Sequence, residues 1–201
     1  MTTGTGPAMA AATMPTMAAT AAAPATTATT TATRVLTNFF LAELDKEVRP
    51  TRKMLERVPM ERGSWQPHGK SMALGGLATH VANLPSWAVL TVNQDELDIA
   101  PVGAPPYKME PFTSTSELLA AFDKNVDDAR KALEASTDAR LDEDWTLLAG
   151  GHKIFTDSKK MVLRQYVFNH IAHHRAQLGV YLRLNGIPVP ATYGPSADEN
   201  D

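Results

Sequence analysis

The chain has 201 residues, with 19 Lys plus Arg against 22 Asp plus Glu, 6 His and no Cys, a length that fits one domain or one domain with an appendage. The missing cysteines exclude a disulfide framework, a Cys-based zinc finger, a thioredoxin-like centre and a catalytic thiol carried by the protein. A net charge of −3 lacks the basic excess of a general nucleic-acid binder, and no stretch approaches the roughly 20 apolar residues of a membrane span, so the expected class is a cytoplasmic protein acting on a small molecule.

Residues 1–33 comprise 12 Ala, 12 Thr, 4 Met, 3 Pro and 2 Gly, and the first charged side chain is Arg34. Nothing in that composition supplies the large apolar groups that offset the entropy of ordering a chain. The segment is expected to be a disordered tail. A secretory signal is disfavoured, because there is no basic start and no Leu/Val-rich centre. Residues 34–201 form the expected domain.

From Val35 to Val58, apolar residues recur at spacings of three and four (Val35, Phe39, Phe40, Leu44, Val48, Met54, Leu55, Val58), which predicts an amphipathic helix. Pro50 should kink or split it near Arg49. The charges at Arg49, Arg52, Lys53, Glu56 and Arg57 read as its solvated face. After a loop containing Pro59, Gly63, Pro67 and Gly69, Ser71 is the expected N-cap of a second helix. Its face runs through Leu74, Leu77, Val81 and Leu84 towards Trp87 and Leu90, with a bend at Pro85. Residues 100–112 hold four prolines and read as an extended connector. A third helix runs from Ser116 to about Ser136, through Leu118, Phe122, Val126, Ala129 and Leu133. Residues 145–156 predict a small β-hairpin about Gly150 and Gly151. Asp157 or Ser158 caps a fourth helix that ends before Gly186 and Pro188. The expected fold class is all-α: an antiparallel four-helix bundle with a long crossover and a small hairpin before the last helix.

The inward series of the fourth helix is Leu163, Val167, His170, His174 and Leu178, so two imidazoles stand where a bundle expects Leu or Ile. Four residues nearly complete a turn, and both rings can reach one cation. His80 shares the apolar face of the second helix with Leu77 and Leu84. A single core histidine is ordinarily a hydrogen-bonded structural residue. Three of them converging from two helices are costly to bury unpaired, and a divalent metal removes that cost. His80, His170 and His174 are therefore the candidate ligands, in the open three-His arrangement of a catalytic zinc site. Nickel, copper or iron would suit the same donors. His173 faces away from the pair. His68 and His152 fall in loops, where either could be a distant ligand.

The stretch Asn169-His-Ile-Ala-His-His-Arg-Ala-Gln-Leu-Gly-Val-Tyr-Leu-Arg-Leu-Asn-Gly-Ile-Pro-Val-Pro190 resembles the last helix of the DinB superfamily. Leu77-Ala-Thr-His80-Val-Ala is similar to its second-helix signature, and Trp65-Gln-Pro67 with Ser71 to the preceding loop. Tyr193-Gly194-Pro195-Ser196 resembles the ending of one branch. Ala176 departs from the pattern, where a glycine often follows the arginine. The resemblance covers roughly residues 34–196. It implies an antiparallel four-helix bundle with a divalent metal on the same trio, His80, His170 and His174, and it allows a homodimer through bundle faces. Relatives include transferases and isomerases that use low-molecular-weight thiols such as bacillithiol or mycothiol. The expectation is thus a metal-dependent transferase using such a thiol as co-substrate. Arg175 could orient an anionic group of the substrate or form a salt bridge, and Gln177 or Asn169 could orient a ligating imidazole. The alternatives are a hydrolase using metal-bound water, with Glu43 or Glu47 as general base, and a metal-binding, stress-related protein without turnover.

Overall fold

A computed structural model describes residues 33–104 and 109–200. The expected tail lies outside these residues except for Thr33, whose carbonyl accepts the N–H of Asp138 at 3.1 Å. Part of the proline-rich connector, residues 105–108, lies outside them too. The described residues form one compact unit.

Helix α1 spans Val35–Glu56 without interruption, so Pro50 does not split it. Pro50 and Thr51 are both buried in the bundle, and the Thr51 hydroxyl bonds the Glu47 carbonyl at 2.7 Å. Packing on both sides of the missing amide holds the helix together against the local cost of proline. After a 3₁₀ turn at Met60–Arg62, helix α2 covers Leu74–Asn83 and α3 covers Ser86–Asn93. Pro85 separates them, although Leu84 and Pro85 keep right-handed helical dihedrals. The N-cap of α2 is Ala73, not Ser71. Carbonyls from the loop do the capping: Trp65 accepts Leu74 N–H at 2.8 Å and Gly63 accepts Gly75 N–H at 2.9 Å. The two glycines stand face to face here, and a Cβ on Gly75 would come within 3.1 Å of the Gly63 Cα.

Strand β1 (Glu96–Asp98) follows, then helix α4 (Thr115–Ala135). Ser114 caps α4 by accepting Glu117 N–H, and the Glu117 carboxylate reaches back to Thr113, which makes a capping box. A short α5 (Asp138–Asp142) leads into β2 (Asp144–Ala149) and β3 (His152–Ser158). The predicted hairpin is present, turning through Gly150 (φ 60°) and Gly151 (φ 76°), a conformation that only glycine adopts cheaply. Strand β1 adds to it in parallel, giving the sheet order β1-β2-β3.

The last helical run has three parts: α6 (Lys159–Val162), a π-helical segment (Leu163–Asn169) and α7 (His170–Leu184). Ser158 sits at its N-cap without a side-chain bond, and the Glu143 carbonyl takes the Lys159 N–H instead. Gly186 (φ 71°) ends the run, with Ile187 N–H bonding the Leu182 carbonyl, a Schellman closure.

Two apolar clusters show how the helices run. One joins Met54 and Leu55 of α1, Leu74 and Leu77 of α2, Leu118 and Phe122 of α4, and Leu178 and Leu182 of α7. The other joins Phe40 and Leu44, Ala88 and Val92, Ala129 and Leu133, and Leu163 and Val167. The first holds the end of α1 and α7 but the beginning of α2 and α4. Helix α1 and the last run therefore point one way, and α2–α3 and α4 the other. The α3–α4 connection must then return along the length of the bundle, and it is the long crossover the sequence predicts.

Candidate metal centre

The centre lies on the seam where α2 packs against α7. His80 comes from the last turn of α2, and His170 and His174 from consecutive turns at the start of α7. His80 Nε2 is 3.3 Å from His170 Nε2, and His174 Nε2 is 2.9 Å from it. Donor atoms of the three residues all lie within 4.8 Å of one another, and each ring is partly buried. Two nitrogens held about 2.0–2.1 Å from one zinc-sized ion stand about 3 Å apart, so the donor set could hold a metal ion.

The far sides of the rings fix the protons. His170 Nδ1 faces the Tyr166 carbonyl at 3.3 Å, and His174 Nδ1 faces Gln177 Oε1 at 2.7 Å. Both acceptors lack hydrogen, so each Nδ1 carries the proton and each Nε2 presents a lone pair. Two lone pairs thus face one another at 2.9 Å, which a cation between them would relieve. Gln177 uses its amide nitrogen on His173 Nε2 at 3.0 Å, which fixes the orientation of its oxygen. Burial, reinforced by His174 and His170, pulls the His80 pKa down to about 4. His170 and His174 are also lowered, chiefly by burial. All three rings are neutral near pH 7, the form that binds a metal.

The other candidates fall elsewhere. His68 is exposed and accepts Lys70 N–H, and His152 is exposed at the start of β3. Asn169 is exposed beside the cleft lined by Glu43, Lys46 and Arg164. Arg175 is 2% exposed and donates to Glu47 Oε2 at 2.6 Å and Thr51 Oγ1 at 2.9 Å. Tyr193 from the C-terminal segment donates to the same carboxylate at 2.8 Å, and its ring covers the guanidinium. Of the two readings for Arg175, the salt bridge is the one found. Glu43 faces Arg164 at 3.5 Å. Among the described residues, no carboxylate joins the histidine cluster.

Sequence reasoning missed the π segment that ends at Asn169 and supplies the Tyr166 carbonyl. Its composition is that of an ordinary helix. A π turn is a register feature of the backbone that apolar periodicity over seven residues does not reveal.

An up-down-down-up helical bundle with three imidazoles converging on one seam defines the class: a four-helix-bundle protein with a trihistidine cluster that could hold a metal ion. Residues 34–201 match the sequence profile of the DinB family. The chain belongs to that family. The uncharacterized protein YrdA of Bacillus subtilis (strain 168) is 27% identical over 163 residues, spanning 80% of this chain and 89% of YrdA. A DinB-like protein from Bacillus cereus ATCC 10987 has a similar crystal structure, with a TM-score of 0.59 and 23% identity over 78% of this chain and 97% of that one. The DinB-like YjoA of Bacillus subtilis superposes with a TM-score of 0.56 at 16% identity, over 75% of this chain and 94% of YjoA. Both share the fold. Among the described residues, no helix is long and apolar enough to cross a membrane.

Proposed function

We propose that this DinB-family protein is a divalent-metal-dependent transferase that uses a low-molecular-weight thiol, with His80, His170 and His174 as the metal ligands. The observation that carries the reading is the convergence of the three Nε2 atoms, with acceptors facing Nδ1 on the far sides of His170 and His174. A divalent ion bound there stabilises a thiolate over its thiol, which supplies a nucleophile at neutral pH. The chain has no cysteine, so the sulfur comes from a co-substrate. Gln177 and the Tyr166 carbonyl keep the His174 and His170 rings in the binding tautomer. The partial burial of the rings keeps them unprotonated. In the transfer, the thiol sulfur bonds the electrophilic carbon, the leaving group departs with its electron pair, and the thiol proton passes to solvent.

Protein purified without a histidine tag should carry about one divalent ion per chain by elemental analysis. That content should fall sharply in His80→Ala, His170→Ala and His174→Ala. Conjugation of chlorodinitrobenzene with a panel of cellular thiols should be abolished in His170→Ala. Equal rates for wild type and variant would remove the transferase reading, and ester or lactone hydrolysis without added thiol would put a hydrolase in its place.

A further inference from the structure

A cavity of about 360 Å³ lies between α3 and β1, within the size range of small-molecule sites. Its apolar walls are Trp87, Leu90, Leu97, Ile99 and Pro101. Its two polar lining residues, Ser86 and Asp98, are already engaged. Ser86 Oγ donates to the Asn83 carbonyl at 2.7 Å. The Asp98 carboxylate accepts from the amides of Ala100, Gly150 and Gly151 at 2.7–3.0 Å. Among the described residues, no lysine, arginine or glutamate lines it, whereas two clefts on the side of α7 away from the trio are lined by Arg175 with Arg183 and by Glu43 with Arg164. The chemistry on offer is contact with an uncharged apolar group.

Two elements run from the cavity to the trihistidine centre. His80 and Trp87 are seven residues apart on the α2–α3 run, about two turns of helical backbone across Pro85. Trp87 and Leu97 pack on the Trp145–Leu147–Val162 cluster together with Tyr166, and it is the Tyr166 carbonyl that holds His170.

We propose that the α3–β1 cavity binds the uncharged aromatic or branched-aliphatic body of the electrophile, against Trp87 and Leu90, with its reacting carbon directed to the trihistidine seam. This rests on the transferase reading for the identity of the ligand, but the cavity can be tested without turnover. Equilibrium dialysis of the full-length, metal-loaded protein against chlorodinitrobenzene, with no thiol present, should show binding. Leu90→Glu should weaken it at least tenfold with metal content and thermal midpoint retained. Ile99→Glu, at a side chain 39% exposed on the rim, decides the matter if Leu90→Glu fails to fold, and the same loss is expected. In the conjugation assay, both variants should raise KM for the electrophile with kcat little changed. Absent binding by wild type, or unchanged binding in Ile99→Glu, would overturn the proposal. Binding that is lost in the variants, in a protein that conjugates no thiol, would keep the cavity and discard the transferase.

Discussion

The three histidines carry a consequence for the metal-free protein. Their folded pKa values lie below the ordinary 6.5, with His80 at about 4, so on acidification the unfolded chain takes up protons that the folded chain refuses. Stability is complete above about pH 6.5 and is lost progressively towards pH 4. The thermal midpoint of chelated protein should fall across that window, and His80→Leu should flatten the dependence. Arg175 is a different case, since it and Glu47 are both nearly inaccessible. Arg175→Ala leaves a buried carboxylate with Thr51 and Tyr193 around it and should cost about 3–5 kcal/mol in denaturant unfolding, while Arg175→Met with Glu47→Gln should recover much of the loss. The trio was legible because histidine is conspicuous at inward positions spaced by four. The role of Arg175 was not, because its partner lies on α1, 128 residues away, and an arginine beside a ligand pair reads equally well as a substrate anchor.

At the scale of elements, legibility followed length. Helices α1 and α4 announce themselves over 22 and 21 residues, long enough for a period of 3.6 to be read. Strand β1 has three residues and exists through its pairing with Thr146, Leu147 and Leu148, some fifty positions on. Caps are the least legible parts, because so many come from distant chain. Asp138 accepts the amides of Val35 and Thr37 in the first turn of α1, at a helix start with no local side-chain cap. Lys159, fully buried, brings its ammonium to the Thr91 and Gln94 carbonyls at the end of α3, where a cation suits the helix terminus. Burial lowers its pKa, against the pull of Asp95. Lys159→Met removes the donor from those carbonyls and should destabilise by roughly 1–3 kcal/mol in urea, with faster amide exchange at the C-terminal turn of α3.

For the whole molecule, the division near residue 33 rests on composition, since 33 consecutive residues carry no charge. Thr33 belongs with the fold through its bond to Asp138. Removing residues 1–31 should leave both the thermal midpoint and the metal stoichiometry unchanged, and a drop in either would show that the bundle depends on the segment. Helix directions were not fixed by periodicity, which is blind to whether a helix runs up or down. They follow from which ends share a cluster, and they turn the α3–α4 link into a return path the length of the bundle.

The seam that joins His80 to His170 spans 90 residues of sequence. A donor set divided in this way cannot assemble until two distant stretches have met. Under the proposed function, a bound ion would staple α2 to α7, and chelation should raise amide exchange along that seam before it raises it elsewhere in the bundle.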